Sequence, residues 1–377
     1  MADLSAEFPQ PEGLRYLNHA AVAPWPQRAA QAVAAFATQN ATIGARDYPD
    51  WLKVEHRLRQ RLARLLNAPS IQDISLVKNT SEGLSFIAFG LDWRAGDQVV
   101  ISNEEFPSNR VVWQALERYG VDVIQVDLSG ADPEADLLMA CGPRTRLLSI
   151  SSVQYASGLA LDLPRLGEGC HSRGVLFCVD AIQHLGALPF DANEAGCAFV
   201  VADGHKWMLG PEGLGVFYCR SDLREQLTLH EYGWHMLEHP NDYLCQEWRP
   251  ASSGRRFECG SPNMLASMAL EASLSLLEEV GMTQVRSQLN ERMDYLQRGL
   301  MEIPGAVVHS PKESRRRAGI LNFTMDGWGQ APLFEALSQH HIVCAQRGAG
   351  IRLSPHFYTT GQVLDDTLSV IRQLADR

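Results

Sequence analysis

No stretch of this 377-residue chain approaches the ~18 consecutive apolar residues of a membrane-spanning helix. The opening text, MADLSAEFPQPEGLRYLNHAAVAPWP, has acids and prolines where a secretory leader would have a basic region and then an apolar run. The expectation is a cytoplasmic protein that enters no membrane. No Lys/Arg block occurs, and 33 basic against 44 acidic residues leave a formal charge of −11, so nucleic acid is not an expected partner. The eight cysteines (141, 170, 178, 197, 219, 245, 259 and 344) include no C-x-x-C pair. Neither a structural zinc nor a redox dithiol is expected, and free thiols suit a reducing compartment. Neither G-x-G-x-x-G nor G-x-x-x-x-G-K-[ST] stands at a strand-to-helix turn, which disfavours a nucleotide-binding reading. There is no fixed-period repeat and no low-complexity tract, so the whole chain is expected to fold.

What is present is ordinary globular material, 45% hydrophobic and 20% charged, at a length that suggests two domains of about 150 residues or more each. Leu52, His56, Leu58, Leu62 and Leu65 recur at helical intervals over 51–66. From residue 74 short apolar runs alternate with helical patterns: ISLV, a helix over 81–91, DQVVIS, a helix near 109–119, VDVIQV, RLLSISSV, GVLFCVD, AFVVAD and GVFYCR. That alternation predicts βαβ units around a mainly parallel sheet. Val175–Val179 and Ala198–Val201 are apolar throughout, as in strands covered on both faces. Residues 232–262 read as irregular. Beyond them, a helix marked by Val285, Leu289, Met293, Leu296 and Leu300, strands at 319–325 and 341–346, and a final helix through Leu364, Leu368, Ile371 and Leu374 predict a smaller α+β domain. A cleft between two such domains is the expected place for a site.

Residues 175–219 hold the chemistry. One strand ends at Asp180 with Gln183 close behind, and the next ends at Asp203-Gly-His-Lys206. Ligands of open α/β sheets collect at the carboxyl ends of strands. An Asp on one strand end and a Lys on the next suit pyridoxal phosphate, with Lys206 holding the aldehyde as a Schiff base and Asp180 keeping the pyridine nitrogen protonated. The pair alone is equally readable as two chance strand caps. Lys78-Asn-Thr-Ser-Glu-Gly83 opens a helix, where N–H groups and the dipole can face a phosphate, although Thr-Ser-Glu is also a common helix cap.

Together, Asp180-Ala-Ile-Gln183, Gly204-His205-Lys206 and the Gly-rich turn Gly210–Gly215 resemble the signature of the class V aminotransferase family, the cysteine desulfurase-like group of fold-type I pyridoxal phosphate enzymes. The resemblance extends from about residue 15 to 375. It implies a large cofactor domain over 15–260, a small C-terminal domain over 261–377, and an N-terminal segment, near 1–30, against the small domain. It also implies that Thr80 and Ser81 bind the cofactor phosphate with His205 and Asp203 nearby, that Gln183 binds the cofactor with Asp180, and that Phe106 stacks on the pyridine ring. Arg256-Phe-Glu-Cys-Gly-Ser261 looks like the element whose hydroxyl reaches the partner subunit's phosphate, so Ser261 implies a homodimer with shared sites. Arg352, in Gly350-Ile-Arg-Leu-Ser-Pro, resembles the arginine that grips a substrate carboxylate. Asn18 and His19 match the segment lining the substrate entrance, and Tyr155 takes the place where many desulfurases have Asn beside the cofactor, as a substrate-binding residue, a cofactor contact or a packing residue.

The resemblance leaves the reaction open. Cysteine desulfurases carry a nucleophilic Cys on a mobile loop before the arginine strand, and here that stretch, Gln346-Arg-Gly-Ala-Gly-Ile-Arg352, has none. Cys344 lies within an apolar run and reads as a core thiol. Phe106, Tyr155 and Trp207 make the chain most similar to the functionally mixed isopenicillin-N-epimerase-like subgroup. The first expectation is an aminotransferase acting on an amino acid, with C–S lyase or epimerase chemistry as alternatives and a non-catalytic binding protein on the same fold as the reading from another class.

Overall fold

The computed structural model describes residues 4–244 and 246–376; Cys245 and residues 1–3 of the N-terminal segment lie outside them. A two-residue strand β1 (Arg15–Tyr16) precedes helices α1 (Gln27–Ile43) and α2 (Tyr48–Leu65). The buried stripe of α2 differs from the expected one. Trp51, Glu55, Leu58, Leu62 and Ala63 face inward, while Leu52 and His56 face solvent. A buried ionic group turns the helix: Arg59 is bidentate to Glu258, at 2.6 Å on both nitrogens, and also contacts Glu55 at 2.5 Å. Charges removed from water must be paired this closely, so α2 presents Glu55 where periodicity would place an apolar residue.

Seven strands follow, β2 (Ile74–Val77), β3 (Gln98–Ser102), β4 (Asp122–Val126), β5 (Thr145–Ser151), β6 (Leu176–Asp180), β7 (Phe199–Asp203) and β8 (Gly215–Cys219). They form one sheet in the order β2-β8-β7-β6-β5-β3-β4, in which β8 alone runs against its neighbours. β6 and β7 are buried on both faces, which is why they read as unbroken apolar runs. Between them lie α3 (Thr80–Gly90), α4 (Ser108–Gln114), α5 (Pro133–Ala140) and α6 (Leu163–His171). The helix expected over 109–119 is thus half α and half a 3₁₀ turn, Ala115–Tyr119, ended by Gly120 in the left-handed conformation (φ 76°).

Among the described residues of 232–262 there is one short 3₁₀ turn, Gly254–Phe257. Helix α7 (Met264–Val280) is absent from the sequence reading. Ten of its residues are buried, serines among them, so no one-sided stripe marks it. Helix α8 (Met282–Met301) leads to β9 (Ala306–Val308), β10 (Leu321–Met325), α9 (Gln330–Gln339), β11 (Ile342–Val343), β12 (Ala345–Arg347), β13 (Gly350–Leu353) and α10 (Gly361–Ala375). The strand expected over 341–346 is split at Cys344. β11 pairs in parallel with β1, whereas β12 joins the antiparallel sheet β12-β13-β10-β9. The N-terminal segment is thereby tied to the smaller sheet.

Helix α3 stands directly on β7. A Cβ at Gly83 would lie 2.7 Å from Val201 Cγ1, closer than two carbons can pack. Gly83→Ala is therefore expected to cost about 1–3 kcal/mol through overpacking and to displace the N-terminus of α3. Denaturant midpoints of the two proteins measure it; equal midpoints would show that the helix moves freely on the sheet.

Candidate active site

The parallel strands β2, β3, β5, β6 and β7 all end on one side of the sheet, and the sequence-predicted residues follow those ends. A cavity of about 240 Å³ opens there, bounded by Thr80 and Ser81 from α3, Phe106 after β3, Tyr155 after β5, Asp180 and Gln183 after β6, and Asp203, His205 and Lys206 after β7. Arg352 of β13 closes it from the smaller sheet. A larger cleft of about 790 Å³ lies elsewhere, between the segment Leu4–Arg15 and helices α8 and α10, and holds none of the predicted site residues.

Lys206 is 8% exposed. Burial lowers its pKa, the Asp180 carboxylate opposes that shift, and the Arg352 guanidinium adds to it. Asp180 is pushed up by burial and by the Glu105 carboxylate, against an N–H from Ile182 and the charge of Lys206. A lysine so placed is more readily neutral than one in water, as a nucleophile or base requires. Its amine sits over the Phe106 ring, 5.7 Å from the centroid, and Phe106 meets Tyr155 edge to face at 5.3 Å.

The backbone on either side of Lys206 is fixed. His205 accepts the Ala23 N–H at 2.8 Å, and Trp207 accepts at its carbonyl from His356 Nε2 at 3.1 Å. The Trp207 indole donates to Gln183 Oε1 at 2.8 Å, and Gln183 Nε2 donates to Ala20 at 3.0 Å. Gln183 lines the cavity with its amide already engaged at both ends. The Trp207 ring fills the space over Gly319, where a Cβ would come within 2.2 Å of it.

At the α3 end Asn79 is the cap, accepting from Glu82 N at 2.9 Å, so Thr80 and Ser81 occupy the first turn, whose N–H groups have no helical acceptor. Thr80 Oγ1 is buried without a partner, and Ser81 Oγ donates to Ser108 at 2.9 Å. His205 Nδ1 lies 3.2 Å from Asp203 Oδ1 but is not aligned for a hydrogen bond and is also unpartnered. Buried polar atoms without partners mark a place built for another molecule. A hydroxyl, an imidazole and helix N–H groups at one end, a carboxylate beneath and a lysine between them fit the phosphate, ring nitrogen and aldehyde of pyridoxal phosphate.

Arg352 is 1% exposed. It donates to the Tyr155 carbonyl at 2.8 Å and to Asn18 Oδ1 at 3.4 Å, its Nε is unpartnered, and burial lowers its pKa to about 9. No carboxylate of the described residues pairs with it. Asn18 therefore reaches the site through Arg352 and does not itself line the cavity. His19 does not line the entrance; it is fully buried, with ring nitrogens at 2.8 Å from the Ser354 carbonyl and 2.7 Å from the Tyr358 hydroxyl. Ser261 lies outside this cavity, in a separate one of about 220 Å³ with Lys78, Glu82 and Cys259. Cys344 is packed in the smaller hydrophobic core, its thiol pushed up to about 12 by burial. Sequence reasoning missed Arg347, which also lines the cavity. Its only signal was a place opposite Gly350 on the neighbouring strand.

The sequence model of the family described as Aminotransferase class-V matches residues 15–360. A probable cysteine desulfurase of Methanothermobacter thermautotrophicus is 28% identical over 98% of this chain and 97% of its own length. A cysteine desulfurase of Klebsiella pneumoniae is 32% identical over 71% of this chain and 66% of its own. A solved complex of the cystine C–S lyase C-DES with its reaction product cysteine persulfide superposes with a TM-score of 0.89 at 25% identity, covering 98% of this chain and 99% of that one.

The depressed lysine gives a pH prediction. Capture of pyridoxal phosphate by cofactor-free protein, trapped by borohydride, should rise with pH and level off well below the ~10.4 of free lysine, and Lys206→Ala should abolish it. A midpoint at the free-lysine value would mean that Lys206 is not in the buried environment described.

Proposed function

The chain belongs to the aminotransferase class-V family, and on that premise we propose that it cleaves the C–S bond of a sulfur-containing amino acid by β-elimination. The coarser statement needs no proposal: this is a class V enzyme of fold type I that uses pyridoxal phosphate. The observation that carries the finer reading is the composition of the cavity. Lys206, Asp180 and Arg352 face it, and no cysteine of the described residues does. Support comes also from similarity to cysteine desulfurases and a C–S lyase. A protein thiol is needed to pull sulfur from a substrate, and none is needed to let sulfur leave by elimination. Transamination, the first expectation from sequence, has support in the family's description but in no residue that separates it from elimination.

Bound in this site, pyridoxal phosphate supplies an electron sink that acidifies the α-proton of an attached amino acid. In our reading Thr80, Ser81 and His205 hold its phosphate, Asp180 accepts the hydrogen bond of its ring nitrogen, and Phe106 covers one face against water. Arg352 binds the substrate carboxylate and so fixes which Cα bond points at the lysine. The neutral Lys206 Nζ takes the α-proton. The Cβ–S bond then breaks with its electron pair on sulfur, leaving pyruvate and ammonia as the carbon and nitrogen products after hydrolysis. Ser261, which does not line its own chain's cavity, is assigned in this reading to the partner in a homodimer, where it completes the second phosphate site.

The holoenzyme is expected to release pyruvate and ammonia from cystine or cysteine with no added keto acid, and Cys344→Ala to keep at least about half of that activity, as a core substitution of similar size allows. Turnover only in the presence of a keto acid would show transamination instead. Arg352→Ala should raise KM roughly 10- to 100-fold, the loss of one charge-assisted pairing, with little change in cofactor affinity; equal losses in both would contradict the carboxylate role.

A further inference from the structure

Glu105 is a buried carboxylate that none of the steps above uses. It follows β3 in Glu105-Phe-Pro-Ser-Asn109, is 5% exposed, and has no cation within ion-pair distance among the described residues. Its oxygens accept from Ser102 Oγ at 2.8 Å, Asn109 Nδ2 at 2.8 Å, the Ser151 N–H at 2.9 and 3.0 Å, Ser151 Oγ at 2.6 Å and Gln154 Nε2 at 3.4 Å. This inventory favours the ionised form of Glu105. A main-chain N–H can only donate. The Asn109 amide is oriented by the Trp113 indole, which donates to Asn109 Oδ1 at 2.9 Å, as does Ser149 Oγ at 2.7 Å, so Nδ2 must face Glu105. Donors converging on both oxygens favour the ionised, acceptor-only form of Glu105.

Ser151, which donates twice to Glu105, is the register partner of Asp180 on the adjacent parallel strand. The Glu105 charge is therefore one strand away from the Asp180 carboxylate, in an interior where such charges are little screened. The other charged groups acting on Asp180 are Lys206 and Asp203, both following the β7 end. We propose that Glu105 is a positioning residue for the pyridine proton: its fixed negative charge, acting through Asp180, holds that proton on the cofactor's ring nitrogen throughout turnover. Asp180 then accepts the ring N–H while Glu105, one strand further, adds its charge, and the ring stays cationic even when Lys206 is also protonated. Burial raises the proton affinity of Glu105 as well, and the hydrogen bonds from Ser151, Ser102 and Asn109 oppose that shift.

This rests on Asp180 facing the ring nitrogen, and the tests separate the two. A neutron structure of the wild-type holoenzyme should show deuterium on the ring nitrogen and none on Glu105; deuterium on Glu105 overturns the proposal, whereas a ring nitrogen not facing Asp180 overturns the site reading beneath it. In Glu105→Gln loaded with ¹⁵N-labelled pyridoxal phosphate, the ring-nitrogen resonance should titrate at least about one pH unit, or tenfold in proton affinity, below wild type, while Glu105→Asp, which keeps the charge, should restore most of the shift. An unchanged ¹⁵N titration in a folded Glu105→Gln protein would leave Glu105 a purely structural carboxylate. Should that variant not fold, the neutron result on the wild type decides alone.

Discussion

A lysine and an aspartate taken out of water at neighbouring strand ends set the terms for the rest of this molecule. Each is costly to bury charged, and neither is satisfied by the other alone. Burial drives Lys206 down and Asp180 up while their attraction pulls both back. That balance suits a site in which a charged cofactor completes the set, with a carboxylate beneath its ring nitrogen and an amine at its aldehyde. The doubly buried strands β6 and β7 make the arrangement possible, because a sheet covered on both faces offers low dielectric up to its carboxyl edge.

Holding a buried lysine in place requires a rigid backbone, and the smaller sheet provides part of it. Trp207 is bonded to Gln183 on one side and His356 on the other, over a glycine that leaves room for its ring. The N-terminal segment passes between, pairing with β11 and Ser354 and bonding to the His205 carbonyl through Ala23. The same segment brings Asn18 to Arg352. Lys206, Arg352 and both sheets are thus linked through hydrogen bonds, and a shift of the smaller sheet would be felt at Lys206.

Much of this was legible in the sequence. Apolar runs ending in Asp180 and in Gly204-His-Lys206 identified both the sheet and its functional edge, because two-sided burial leaves a continuous hydrophobic mark and catalytic side chains cluster where it stops. Other features left no local mark. Helix α7 is buried on several faces and shows no stripe. The helical period points Leu52 and His56 inward, because the pairing of Arg59 with Glu258, 199 residues away, is invisible in a helical window. Arg347 needed the register of β12 against β13, and Glu105 needed a hydrogen-bond inventory spanning β3, α4 and β5. His19 belongs to a matching segment yet is fully buried, which only packing against Trp207, His356 and Tyr358 reveals.

In the proposed elimination, sulfur leaves the substrate and never rests on the protein. The direct measurement is the intact mass of the holoenzyme quenched during turnover of cystine, read together with the mass of the small sulfur product. The account predicts an unmodified protein and cysteine persulfide free in solution. A sulfur adduct on any cysteine of the chain, formed and discharged at the rate of turnover, would contradict it and would make this a persulfide-transferring enzyme.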